Sequence, residues 1–176
     1  AYMITSEKSV SLQTKASQSV SQWKIRTKST QKNRKKELKM DNCIFCKIAG
    51  GEIPAATLYE DENFRVILDL GPASKGHALI LPKAHAANIY EISDELAAKA
   101  MILAKKMARV MTDALHCDGF NIVQNNGECA GQTVFHFHMH LIPRYNGDSV
   151  GITWTPGTLT DEVKEEIMEK VKAQFN

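Results

Sequence analysis

No run of apolar residues in this chain of 176 approaches the roughly 20 that a membrane-spanning helix needs, so a soluble protein with no membrane partner is expected. Cysteine is scarce. Cys43, Cys46, Cys117 and Cys129 are too few, in a chain this long, for a disulfide-stapled scaffold. The N-terminal stretch also lacks the apolar core of a secretory signal, which leaves a reducing cytoplasm as the expected setting. Positive charge is missing where a nucleic-acid binder would need it. The formal net charge is +2, yet residues 1–39 hold ten Lys and Arg against two Glu, or +8, while residues 40–176 hold twelve against eighteen acids, or −6. An acidic globular part offers no footprint for nucleic acid, and none is expected as a partner.

What remains suits one globular domain. Hydrophobic residues make up 43% and charged residues 24%, enough for a fair-sized core. Within it, Phe135 to Arg144 reads Phe-His-Phe-His-Met-His-Leu-Ile-Pro-Arg and carries three of the six histidines. Strict alternation is the period of a β-strand, so His136, His138 and His140 share one face. Phe135, Phe137, Met139 and Leu141 form the other, core-facing side, and Pro143 is expected to end the strand. The outer two histidines of such a row are about 13 Å apart, at about 3.3 Å per residue, which disfavours one metal held by all three. Three unrelated core histidines would each need a buried partner. A catalytic row fits better, because neutral imidazole can attack an electrophile through one nitrogen while its second N–H is held by an acceptor.

The run from His136 to Arg144, HFHMHLIPR, resembles the HxHxHxx signature of the histidine triad (HIT) superfamily of nucleotide hydrolases and transferases, over about residues 42–147. The resemblance implies an α+β fold. It has about five mainly antiparallel strands, one long helix, a short N-terminal helix and a C-terminal helix, in a domain spanning residues 40–176 that forms a homodimer. It also makes His138 the nucleophile, with His136 and His140 beside it, and His77 the supporting histidine that holds the nucleophile's ring. Asp69, eight residues before His77, matches the carboxylate that takes both ribose hydroxyls. Asn125, Gly131 and Thr133 match phosphate-holding positions, with Gln132 among them, while Ile44, Phe45, Ile48, Ile67 and Leu70 match the pocket for a purine base. The loop is readable on its own terms too, since glycines let backbone N–H groups turn toward an anion.

The rest of the chain supplies supports. A helical turn at residues 43–48 ends in glycines and a proline. Thr57 to Glu60 and Phe64 to Leu68 read as a hairpin about Asp61-Glu62-Asn63, and residues 77–82 as a third strand. Ser93 caps a long helix to about Leu115, with Leu96, Ala100, Leu103, Met107, Val110 and Met111 as its apolar stripe. Residues 120–124 make a fourth strand. A last helix runs from Thr160 to about Gln174 with Val163, Ile167, Met168 and Val171 as its buried side, and Trp154 is a candidate for completing a partner subunit's pocket. Residues 1–39 read as a flexible basic extension: a targeting segment, an arm for a polyanion, or an artefact upstream of a natural start at Met40.

Cys43 and Cys46 form a CxxC, which alone is compatible with redox chemistry or apolar filling. Bacterial members of the family join such a pair to histidines matching His85 and His136, which implies structural zinc on two thiolates and two imidazoles. No catalytic metal is required. The expected activity is hydrolysis of NMP-X substrates of the purine nucleoside phosphoramidate type through a nucleotidyl-histidine. Ile142-Pro143-Arg144 in place of the Gly-Gly of the Hint branch keeps dinucleoside polyphosphate cleavage open, and a nucleotide-binding scaffold with little catalysis is a third reading.

Overall fold

Five short segments rich in aliphatic residues pair into one antiparallel sheet, in the order β1-β2-β3-β5-β4. The structure is a computed structural model and describes residues 42–175. The expectation for residues 1–39 lies outside the described residues. Chain order is α1 (Ile44–Ala49), β1 (Thr57–Glu60), β2 (Phe64–Leu68), β3 (Ala78–Pro82), α2 (Asp94–Leu115), β4 (Gly119–Val123), a 3₁₀ turn (Glu128–Ala130), β5 (Met139–Arg144) and α3 (Asp161–Lys172). The α+β fold with one long and two shorter helices is the one the sequence implied.

The β1–β2 hairpin forms where its turn chemistry lies. Asp61 Oδ1 accepts from the backbone N–H of Asn63 at 2.8 Å and of Phe64 at 2.7 Å, closing an Asx turn. Ser93 Oγ caps α2 by accepting from Leu96 N at 3.3 Å, with Asp94 and Glu95 in the positive first turn. The helix lays Ala100, Leu103, Ala104, Met107 and Met111 across one face of the sheet, against Phe64, Val66, Ala78, Ile80, Phe137, Met139 and Leu141. On the opposite face, α1 covers Ile67, Leu79 and Leu81 with Phe45 and Ile48. His140 pairs across β3 with Leu79, so the histidines lie on the α1 face.

Several boundaries depart from the pattern. β5 begins at Met139, not at Phe135, because its partner β3 engages it only through Ala78, Leu79 and Ile80. Alternation in sequence continues beyond the ladder. Phe135, left ahead of the pairing, is exposed and not part of the core. Pro143 sits within β5 and does not end it: its carbonyl accepts from Ser74 Oγ on the β3 side, beyond the last β3 pair, so no ladder bond is lost for want of an N–H. Val110 lies off the buried stripe of α2, exposed to solvent. Correcting the largest misreading, α3 buries none of its residues, and Val163, Ile167, Met168 and Val171 are all exposed.

Candidate functional site

Backbone groups decide which nitrogen of each ring carries its proton. His138 Nδ1 stands 2.6 Å from the carbonyl oxygen of His136. A carbonyl can only accept, so the proton is on Nδ1 and Nε2 keeps a bare lone pair. His136 is the reverse case. Its Nε2 lies 2.9 Å from the Pro82 carbonyl and donates to it, which turns the Nδ1 lone pair toward Cys43, Cys46 and His85. At His77 the backbone is the donor: Ala73 N–H reaches Nδ1 at 3.0 Å, so the ring proton must sit on Nε2. That Nε2 faces His140 Nδ1 at 2.9 Å, and His140 therefore holds its own proton on Nε2. The row presents a bare nitrogen at His138 beside an N–H at His140, with the two ring centroids 4.9 Å apart.

The sequence reading gave His77 to the nucleophile; the structure gives it to His140. Spacing brings His77 to the row, but the ring it meets is set by the register Leu79↔His140. Asp69 stands behind this pair, Oδ2 3.6 Å from His77 Nε2 and Oδ1 accepting from Gly71 N at 2.8 Å. Burial holds all four rings neutral. It pushes His136 and His140 down to about 4, with neighbouring imidazoles adding to the shift, and lowers His77 and His138, against which Asp69 pulls upward.

Cys43, Cys46, His85 and His136 converge at the end of α1. Cys46 Sγ is 3.3 Å from His85 Nδ1, His136 Nδ1 is 3.5 Å from each sulfur, and the two Nδ1 atoms are 3.3 Å apart. Four donors placed tetrahedrally around one cation, with nitrogens at about 2.1 Å and sulfurs at about 2.3 Å, have N–N edges of about 3.4 Å and N–S edges of about 3.6 Å. These four separations are close to such edges, all four donor atoms lie within 4.8 Å of one another, and the cluster could hold a metal ion. Burial, then the adjacent Cys43, pushes the Cys46 thiol up to about 12, a preference that a bound dication reverses because thiolate is the ligand form. Asp69, His77 and His140 also approach one another, but their 2.9 Å N···N contact is too short for a tetrahedral edge and is a hydrogen bond.

The 125–133 loop is braced from within. Gln132, nearly fully buried, accepts from Gly127 N at 2.8 Å and donates to Ala87 O at 2.6 Å and Val134 O at 3.1 Å, so its polar atoms organise the loop and are not left for a ligand. Gly131 takes a φ of 84°, a conformation that a side chain would strain. Gly131 and Thr133 are exposed, and Asn125 is half-buried with its amide beside Gly131. Of the base-pocket candidates, Phe45 touches His138 edge-on at 5.1 Å, Ile48 is half-buried, Ile67 is buried, Ile44 is about half exposed and Leu70 is fully exposed. Ala73 and Pro82 were not singled out from the sequence, because they act through main-chain atoms that any residue type supplies.

Comparison with known proteins bears on the same stretch. The HIT domain family model matches residues 50–147. The chain is 46% identical to the Bacillus subtilis protein named Protein hit, over 77% of this chain and 92% of that one. It is 43% identical to adenosine 5′-monophosphoramidase hnt1 of Schizosaccharomyces pombe, over 74% of this chain and 99% of that one. Among solved structures, a zinc-bound histidine triad family protein from Mycobacterium smegmatis superposes with a TM-score of 0.61 at 38% identity, covering 77% of this chain and 96% of that one.

Proposed function

This chain belongs to the histidine triad family, and on that premise we propose that it hydrolyses NMP-X conjugates of the purine nucleoside phosphoramidate type through a nucleotidyl-His138 intermediate. The observation that carries the reading is the pairing of opposite tautomers, a bare Nε2 on His138 next to an N–H on His140. His138 Nε2 forms a bond to phosphorus as the P–X bond breaks, and the His136 carbonyl steadies the imidazolium that results. His140 Nε2–H donates a hydrogen bond to X and to the phosphate oxygens, and X takes its proton from solvent as it leaves. In the second half, water attacks phosphorus and loses its proton to solvent, His140 Nε2–H again donates to the phosphate oxygens, and His138 leaves as neutral imidazole. In this reading Asp69 takes the ribose hydroxyls, the 125–133 loop takes the phosphate, and Phe45 and its neighbours take the base. The phosphoramidase name of the fission yeast relative supports the substrate class.

The dinucleoside polyphosphate alternative leaned on the Pro-Arg ending of the motif. Arg144 is engaged elsewhere, with both Asp148 oxygens, Asn121 Oδ1 and the Val150 carbonyl, so it clamps the end of β5. Zinc on Cys43, Cys46, His85 and His136 belongs to the proposal as a structural element, supported by the tetrahedral edges and the zinc-bound relative. So does a homodimer, for which the support is apolar surface left open on Met101 and Ile102 of α2 and along α3. No helix among the described residues is long and apolar enough to cross a membrane.

The test is incubation with adenosine 5′-phosphoramidate and, separately, diadenosine polyphosphates, following AMP release and adenylylated protein by mass. AMP release from the phosphoramidate, lost in His138→Ala, is the expected result. Binding of AMP without turnover of either substrate would hand the reading to a nucleotide-binding scaffold.

A further inference from the structure

We propose that Gln124 and Asn126 are positioning residues that hold Asn125, between them, in place for the phosphate of the substrate. The inference rests on the reading of the 125–133 loop as the phosphate holder. Three amide side chains stand in a row here, and they divide. Among the described residues the Asn125 amide makes no hydrogen bond, whereas both of its neighbours are engaged. The main-chain N–H of Ile89 donates to Asn126 Oδ1 at 2.8 Å, Asn126 Nδ2 donates to Gln124 Oε1 at 2.5 Å, and Gln124 Nε2 donates to the Asn125 carbonyl at 3.0 Å. The relay begins on a group that can only donate and ends on one that can only accept. Neither amide can therefore be turned over without breaking both of its bonds.

The relay fills a gap between two other supports. β4 is held to the triad strand as far as Val123, which pairs with His140. From Gly127 onward the loop is closed by Gln132, whose Oε1 accepts from Gly127 N at 2.8 Å while its main-chain N–H donates to the Gly127 carbonyl at 3.1 Å. Between the two, among the described residues, no main-chain hydrogen bond to another main-chain group holds Asn125 or Asn126. Side chains set that stretch, and the segment they reach is firmly seated. The Asn88 carbonyl accepts from Glu91 N and Ile92 N, both at 3.2 Å, and Ile92 is buried in the core next in sequence to the Ser93 cap of α2. For an anion the relay does two things. It commits the Asn125 carbonyl, whose oxygen would repel a phosphate, to Gln124. It also fixes the backbone from which the Asn125 amide, beside Gly131, offers N–H donors to negatively charged oxygens, a charge-assisted bond whose strength depends on placement.

The expected consequence is a loss of discrimination for phosphate. Asn126→Leu removes the first two bonds of the relay and Gln124→Met the last two, neither changing the charge. Affinities for AMP and for adenosine are measured on the full-length wild type, both variants and the double variant, by titration followed in ¹H–¹⁵N spectra, which also report the fold. In either variant AMP binding should weaken on the order of 10-fold, the scale of a displaced hydrogen bond to a charged group, while adenosine binding stays within about threefold. The double variant should lose no more than the worse single one, since both substitutions break one relay. AMP and adenosine weakened alike, as a loosened fold would give, overturns the proposal; so does unchanged AMP binding, and so do losses that sum in the double variant. If Asn126→Leu does not fold, Gln124→Met decides by the same two affinities. A wild type that holds AMP no better than adenosine removes the phosphate reading of the loop, and this inference with it. A wild type that prefers AMP by a margin the variants keep removes the inference alone.

Discussion

The two ends of the histidine row start from the same chemistry and finish in opposite service. His136 and His140 lie two residues either side of His138, are both desolvated, and are both pushed down to about 4. His136 spends its N–H on the Pro82 carbonyl and turns a lone pair to the cysteine cluster; His140 accepts from His77 and turns its N–H outward from that bond. Residue type and face are shared, although His136 is fully buried and His140 half-buried. The chief difference is one main-chain carbonyl against one imidazole, and it separates an anchor from a hydrogen-bond donor.

Exchanging an end tests this division, and the largest effect belongs to His140. His140→Ala should lower kcat on the order of 10²- to 10³-fold, the range of a lost hydrogen-bond donor to developing charge, while zinc content holds; equal loss of metal and activity would erase the distinction between the ends. The anchor end should answer in stability. Stripping zinc, or His136→Ala, removes a ligand that binds only the folded chain, about 2.7 kcal/mol at a metal concentration 100 times Kd, and lowers Tm on the order of 10 °C. A Tm indifferent to chelator would mean that the cluster does not hold a metal of consequence.

The donor end can be sharpened through His77. His77→Gln keeps an N–H where Nε2 stood, so His140 keeps its proton on Nε2 and kcat should fall by less than about tenfold. His77→Glu offers only acceptors when ionised, pulls the His140 proton to Nδ1, and should cost on the order of 100-fold in kcat with KM little changed. Equal rates in the two variants would show that His77 packs against His140 and does nothing to its proton.

How much of this was legible follows from what sequence displays. Turn chemistry at Asp61 and capping at Ser93 are local, and the β1–β2 hairpin and α2 fall where those signals put them. The start of β5 is not local: alternation from Phe135 looks like strand throughout, and only the reach of β3 limits the ladder to Met139 onward. α3 shows the same limit from another side. Its stripe of Val163, Ile167, Met168 and Val171 tells what the helix would bury, not what would cover it. At the site, side-chain identity pointed to the four cluster residues and to His77, yet the tautomers hang on Ala73 N–H and on the carbonyls of Pro82 and His136. Main-chain atoms carry no letter in the sequence.

The smallest effect, and the one that isolates a single proton, is in pH. His140 is neutral in the folded protein down to about 4, whereas in the unfolded chain it titrates near the ordinary value of about 6.5. Between those two values the unfolded state binds a proton that the folded state does not, so stability rises with pH across the window and is lost as pH falls from about 6.5 toward 4. The slope attributable to one such ring is about 1.4 kcal/mol per pH unit. His77, lowered by burial, acts in the same direction. Comparing unfolding free energies of the wild type and His140→Gln at pH 5 and pH 7, zinc held saturating, should show a shallower loss in the variant by about one proton. The same depression carries the acid limb of kcat/KM below the usual histidine range, since the row stays neutral where a free imidazole would already be charged. An unchanged stability slope in the variant would mean that His140 is protonated in the folded state, and the two ends of the row would then differ in charge as well as in tautomer.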